Sequence, residues 1–422
     1  MANKKTIIGE LSPKEVVKTI SKLPKKKKEE LRITFVTTLA LLSLIGVFIS
    51  SPKLFSYFQS HPSQASDSKL INPNFSPDSN PLDPSDTPWG NLPSEKILIS
   101  KHAAQPKIYG DRVVYRKYDL NYSETNQSDI YMYNLHTNEE TPISINNNLR
   151  EYSPDIYGDH VVWVSSQYNG IGPIVSNIIL FNLATEEKIN ITNDNGYDSN
   201  NSSPAIYGNN VIWIRYSHEA GEEEFSQLML YKINTQETVV LRKKSLNLWE
   251  PYLHPDIFRD IVVWQTNYYY SPTINILDIS SGDEKEITNY NNLQQCPAVY
   301  YPWVIWHERM SQDDFKIVGY NIKQDQKIDL VDFSSTGGFS GYPAIYGNSV
   351  VYSGNKITAN WNFSDILLHN IFYQDTEEDI VIEDSDNSQL HPDIYQNWIA
   401  WEDRPPFGSN PGYPSIYAYN LN

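Results

Sequence analysis

The chain has 422 residues, 13% of them aromatic with 30 tyrosines, and a single cysteine, Cys296. One cysteine excludes an intrachain disulfide, so the fold has to rest on its packed core. The net charge of −18 is unevenly spread: residues 1–32 hold ten Lys/Arg and four Asp/Glu, which leaves 23 basic and 47 acidic residues downstream, a net of −24. A surface that acidic repels phosphate backbones and argues against nucleic acid as a partner of the main domain.

From the N-terminus, "SPKE" at Ser12–Glu15 has the capping-box pattern with Pro13 at the first helical position, which predicts a short helix inside a basic segment, 1–32. The run "ITFVTTLALLSLIGVFI" that follows carries no charge. At 1.5 Å per residue it is just long enough to cross a bilayer, so residues 33–50 are expected to form a single uncleaved transmembrane helix. Lys25 to Lys28 and Arg32 precede the span and few basic residues follow it. The positive-inside rule therefore predicts a cytoplasmic N-terminus and an extracytoplasmic bulk, at the cell surface or in a periplasm. Residues 51–94 are rich in Pro, Ser, Asn and Asp and read as a linker that holds the rest of the chain off the membrane.

One phrase then recurs: "SPDIYGDHVVWV" from Ser153, "SPAIYGNNVIWI" from Ser203, "HPDIFRDIVVWQ" from His254 and "YPAIYGNSVVYS" from Tyr342. Anchored on Pro106, Pro154, Pro204, Pro255, Pro297, Pro343 and Pro392, every copy has an aromatic residue nine positions on: Tyr115, Trp163, Trp213, Trp264, Trp306, Tyr352 and Trp401. Each copy predicts four short strands. The proline opens strand A, Gly-Asp or Gly-Asn turns it, "VVW" is strand B, an alternating stretch such as "DIYMYNL" is strand C, and a short strand D closes the unit. Arg259, Tyr301 and Gln396 replace the turn glycine, so those corners are expected to be looser or differently shaped. The last copy ends after strand C, while "EKILIS" at Glu95–Ser100 is an orphan strand ahead of the first proline. Joining the two closes a ring without a free edge. Residues 95–422 are therefore expected to be all-β, a seven-bladed β-propeller of four-stranded blades with N-to-C strand closure, preceded by the transmembrane helix.

The repeat "PxIYGxxVVW…DIYxYxLxTxxExxIT" resembles the TolB-type β-propeller repeats of archaeal and bacterial envelope proteins, across all of 95–422. The resemblance implies the fold more firmly than an activity. Such relatives include protein-binding scaffolds, surface-layer components, the propeller half of prolyl peptidases and a few lyases, and one fold hosts many functions.

Variation between copies concentrates in the B-to-C and D-to-A loops, which share one rim, and loops on a rigid scaffold are where binding sites arise. The rim candidates stand just before the proline or just after the nine-on aromatic: Arg116, Arg215, His254, His307, Glu308, His391, Glu402, Asp403 and Arg404, with Trp249 and Glu250 from a D-to-A loop. His254, His307 and His391 could converge on a divalent ion with Glu308 or Glu402 as base, the constellation that a metal-assisted polysaccharide lyase or hydrolase would need. The acidic stretches 193–198 and 383–387 could coordinate calcium, although neither has the EF-hand spacing; no other cofactor is expected. "GGFSG" at 337–341 lacks the final glycine and the following helix of a nucleophile elbow. The recurring tryptophans read as core, whereas Trp249, Trp361 and Tyr268–Tyr270 are the irregular aromatics suited to contact a glycan or protein. The expected function is a membrane-anchored module that binds a protein or an envelope polymer. The alternatives are the lyase and a structural surface-layer subunit.

Overall fold

A computed structural model describes residues 96–421 apart from 120–126, 146–148, 169–172, 193–198, 218–223, 246–251, 267–271, 289–291, 312–313, 333–339, 355–363, 372–378 and 407–411. All described residues belong to one compact unit, Ser68–Asn422. The basic segment, the apolar run and the linker lie outside them. Among the described residues no helix is long and apolar enough to cross a membrane, and the ordered elements are strands.

The first strand, β1 (Lys96–Lys101), is followed by sets of four. These are β2 (Ala103–Tyr109), β3 (Arg112–Tyr118), β4 (Ser128–Asn134) and β5 (Glu139–Pro142); then β6 (Arg150–Tyr157), β7 (His160–Tyr168), β8 (Pro173–Asn182) and β9 (Lys188–Asn190); then β10 (Ser199–Tyr207), β11 (Asn210–Ser217), β12 (Phe225–Lys232) and β13 (Glu237–Ser245). The chain continues through β14 (Tyr252–Phe258), β15 (Ile261–Thr266), β16 (Thr273–Asp278) and β17 (Glu284–Glu286), and through β18 (Leu293–Tyr300), β19 (Trp303–Ser311), β20 (Asp314–Asn321) and β21 (Gln326–Asp332). It ends with β22 (Ser340–Tyr346), β23 (Ser349–Gly354), β24 (Asp365–Asn370) and β25 (Ile380–Glu383), and with β26 (Ser388–Tyr395), β27 (Trp398–Arg404) and β28 (Ser415–Asn420). Within each set the strands pair antiparallel in chain order. The first three sets are also joined by single parallel pairs, Ser128 to Arg150 and Ser176 to Asn200.

The end of the chain behaves as its sequence predicts. β1 pairs antiparallel with β28, Ile97 opposite Ala418, so the last sheet runs β1-β28-β27-β26. Side chains complete the closure: Ile99 of β1 packs with Val113, Tyr115, Ala400 and Ala418, from strands at opposite ends of the sequence. Successive inner strands touch in a cycle from β2 through β6, β10, β14, β18, β22 and β26 back to β2.

Burial explains the composition of each strand. β15 and β16 are buried at every position, because a middle strand is covered on both faces by neighbouring sheets; hence the unbroken "IVVW" rather than an alternating pattern. The outer strands β5, β9 and β17 are largely exposed and polar. All seven nine-on aromatics are 0 or 1% exposed and lie in clusters that draw on two adjacent sets, as Trp306 does with Val263 and Ile276. They are core, as expected.

Two local expectations need correction. Each proline lies inside its inner strand rather than at its start, as Pro154 does within Arg150–Tyr157. Where both inner strands of a set pair, the register shifts there in a β-bulge, for example between Tyr152 and Asp155. The inner edge faces the ring axis and is unpaired, so a missing N–H costs nothing there. Arg259 and Gln396 adopt the left-handed conformation of the glycines they replace, φ 57° and 51° beside 59° for Gly158, and keep the common corner. Only Tyr301–Pro302, with a cis peptide, turns differently.

Candidate functional site at the channel mouth

An inner strand with nothing beyond it presents unpaired N–H groups to the axis, and these need acceptors. Side chains of the preceding set supply them. Asp155 Oδ2 accepts from the Ile206 N–H, Asp256 Oδ2 from Val299 and Asp393 Oδ2 from Ile108, each at 2.8 Å. Lys107 fills the equivalent position in the first set, 3.6 Å from Asp393. Its side chain is 45% accessible to water although protein surrounds it, as fits a wet channel. Burial alone would lower its pKa, but Asp393, Asp155 and Asp256 outweigh this and raise it. Burial pushes the Asp155 carboxyl up to about 7, against the opposing charge of Lys107.

Below this layer the channel is encircled by Tyr109, Tyr157, Tyr207, Phe258, Tyr300, Tyr346 and Tyr395, each ring 4.3 to 5.0 Å from the next and the last in contact with the first. Above it stand the residues that precede the prolines: Gln105, Ser153, Ser203, His254, Cys296, Tyr342 and His391, all with φ between 46° and 57°. A left-handed non-glycine residue costs of order 1 kcal/mol or more, and its recurrence at equivalent positions marks a built feature. Three of their N–H groups are also held by the preceding set: Gln105 by Glu402 Oε2 at 3.2 Å, Ser153 by Gln105 Oε1 at 3.0 Å and Cys296 by Gln265 Oε1 at 3.3 Å. Burial pushes the Cys296 thiol up to about 12, which disfavours its thiolate form.

The sequence-derived candidates separate into two groups. His391, Glu402, Arg404 and Arg116 come together at this mouth. Glu402 is 0% exposed and receives His391 Nδ1 at 3.2 Å and Arg404 Nε at 3.0 Å and Nη2 at 2.5 Å. Burial alone would raise its pKa, yet His391 and Arg404 hold it down at about 2. Tyr342 packs on His391, ring centres 4.2 Å apart. His254 is pushed down to about 4 by burial and by the charge of His391.

Glu308, Asp403, His307 and Arg215 belong instead to the contacts between and within sheets. Glu308 accepts from Trp306 Nε1, Lys327 Nζ and Asn292 Nδ2. Asp403 accepts from Gln389 and Asn387. His307 is stacked on Phe315 at 5.6 Å, and burial, with Arg309, lowers its pKa to about 3. Arg215 lies in β11 opposite Asn201. The three histidines therefore do not converge, and among the described residues no group of three His, Cys, Asp or Glu is placed to hold a metal ion. In the acidic stretch 383–387, Glu383 pairs with Lys96 at 2.7 Å and Asn387 with Asp403; the stretch 193–198 lies outside the described residues. Trp249, Glu250, Trp361 and Tyr268–Tyr270 also lie outside them.

The mouth includes residues that the repeat alignment passes over. Arg116 carries its guanidinium 4.3 Å from the ring of Tyr118, and Tyr118 in turn meets Tyr413 at 5.4 Å. Arg150 lies 5.3 Å from Tyr152. Arg116 Nε donates to Ser128 Oγ at 2.8 Å, and Ser128 Oγ donates to the Glu151 carbonyl at 2.8 Å. Burial, with the charge of Arg150, lowers the Arg116 pKa to about 10. Arg150 and the tyrosines fall outside the pre-proline and post-aromatic positions, which is why sequence reasoning missed them. The signal that could have found them is the repeated pairing Arg-x-Tyr at 116–118 and 150–152.

Known structures fix the fold. An oligogalacturonate lyase in complex with manganese is similar at 11% identity and TM-score 0.56, over 79% of this chain and 94% of that one. The oligogalacturonate lyase of Vibrio parahaemolyticus matches at 12% and 0.54, over 80% and 92%. The β-propeller domain of the trilobed protease from Pyrococcus furiosus, which has an open velcro topology, matches at 12% and 0.54, over 77% and 97%. This chain is a β-propeller. No family model matches it, and neither does any curated protein sequence. Its own propeller, unlike the open velcro of the protease domain, pairs the first of its described strands with the last.

Proposed function

We propose that residues 95–422 form a seven-bladed propeller, carried outside the cell membrane by a transmembrane helix at 33–50 and the linker 51–94, and that its channel mouth binds a protein or envelope polymer. The sorting of strands into sets of four and the closed ring of seven aromatic side chains support the blade count. The apolar run and the preceding lysines support the anchor and its orientation. The binding reading rests on one observation: the mouth gathers two arginines with incompletely paired guanidiniums, Arg116 and Arg150, each set over a tyrosine ring.

A lyase activity, the activity of two of the similar structures, would on the sequence-derived scheme use the histidines as a set. Here His307 is turned into a sheet contact, so the mouth offers a binding surface first. The test is retention of a partner from solubilised envelope by the immobilised full-length chain. His391→Ala and Tyr413→Ala are expected to reduce retention at least about tenfold, the scale of a lost interface anchor, while Val239→Asp on the outer strand β13 leaves it unchanged. Retention indifferent to the mouth substitutions would contradict the reading.

A further inference from the structure

We propose that the slot between Arg116 and Arg150 receives the terminal carboxylate of a peptide whose remaining residues are neutral or basic. The proposal rests on the reading of the mouth as a binding surface and specifies its ligand. Arg116 is only 6% exposed, and its Nη2 finds no acceptor among the described residues; neither does Nε of Arg150. The two side chains belong to adjacent blades. They are brought together by the parallel pair Ser128–Arg150 and by Ser128 Oγ, which accepts from Arg116.

The same slot elsewhere in the ring shows what is missing. In the last blade the equivalent residue is Glu402, whose carboxylate is filled by His391 and Arg404. In the fourth it is Gln265, which accepts the Cys296 N–H. In the first blade the slot holds a cation, the neighbouring blade adds a second, and among the described residues no carboxylate is hydrogen-bonded to either, the charge of Glu402 reaching Arg116 only from a distance. A buried charged donor left without an acceptor is costly, so an anion between the two guanidiniums is the chemistry the slot lacks.

The ligand class follows from three further features. Guanidinium forks match the planar, two-oxygen geometry of a carboxylate. The guanidiniums lie over the rings of Tyr118 and Tyr152, at 4.3 and 5.3 Å, which favours this placement of each cation. The chain beyond residue 32 carries a net −24, which repels a polyanion with a charge on every unit but attracts a neutral or basic body. A single chain-end carboxylate meets all three conditions. The path from Tyr118 to Tyr413, with His102 edge-on at 5.8 Å, then offers aromatic faces to the residues before the terminus.

The experiment is a calorimetric titration of the full-length chain with acetyl-Lys-Ala-Ala as the free acid, with the same peptide amidated at its C-terminus, and with trigalacturonate. The free acid is expected to bind, the amide to bind at least about tenfold more weakly, and Arg116→Met and Arg150→Gln each to weaken the acid by about 10- to 100-fold, as for one lost charge-assisted bond. Lys243→Gln on β13 should have no effect. Arg150 is only half-buried, so its variant keeps the test open if Arg116→Met does not fold. Equal binding of acid and amide, no binding of the acid to the folded protein, or tighter binding of trigalacturonate would each overturn the proposal. If one of these occurs while His391→Ala still releases the retained partner, the carboxylate assignment falls and the mouth reading stands. If retention ignores the mouth substitutions, both fall.

Discussion

Asp155 shows how a single side chain can serve the fold and still be held under tension. It caps the Ile206 N–H on an otherwise bare strand edge, yet burial pushes its carboxyl up to about 7, against about 4 in an unfolded chain. A carboxyl with a raised folded pKa gives stability at low pH that is lost as pH rises through the folded value. The stability of the native protein relative to Asp155→Asn, which keeps an acceptor oxygen, should therefore fall between pH 4 and pH 8; denaturant melts at a series of pH values check this. Glu402 has the opposite sign. Its pKa is held down at about 2, so its advantage over Glu402→Gln should be present above pH 5 and decline as pH drops through 4 toward 2. His254 and His307, lowered to about 4 and about 3 by burial, add to acid destabilisation below about pH 6.5, which is why the variant-minus-native difference is the useful quantity. The Asp/Lys variation at these channel positions was visible in the aligned copies, at 107, 155, 256 and 393. Its meaning was not, because a side chain capping the next blade's backbone is a tertiary contact with no local signature.

At the scale of the strand, the repeat was legible because its chemistry is local: Gly at the corner, an unbroken apolar run for a doubly covered strand, polar residues at the outer edge. Each nine-on aromatic fills the space between two blades, so Trp213→Ala should cost about 3–5 kcal/mol, read as a lowered thermal midpoint. Trp213 Nε1 also donates to Asn201 Oδ1 at 2.9 Å, a bond that the smaller side chain would lose. Placing the start of the inner strand at its proline was the instructive error. Proline is a strand breaker only where its N–H would be used, and here that edge faces the channel. The left-handed residue before it runs against the usual preference of an X-Pro pair; only the bulge in register with the neighbouring strand makes sense of it. Arg259 and Gln396 make the same point, since both take a glycine-like φ that their side chains disfavour.

Among the described residues the first strand, β1, and the last, β28, share one sheet, and the mouth described above depends on the last blade being completed and set against the first. Glu402 of β27 reaches Gln105 of β2 across that seam, and Asp393 of β26 reaches Ile108; the arginine slot lies one blade further on. The charge of the assembly acts at this scale too, so binding of a basic peptide should weaken as ionic strength rises from about 0.05 to 0.5 M, where the screening length shortens from about 14 Å to about 4 Å. The seam itself can be tested by chemistry. In a Cys296→Ser background, cysteines at Ile97 and Ala418, opposite each other on β1 and β28, are within disulfide reach if the strands pair. Mild oxidation of the folded full-length chain is predicted to give a monomeric, intramolecularly bridged species that migrates differently from its reduced form on a denaturing gel. Absence of that bridge, or bridging only between molecules, would contradict the closed ring.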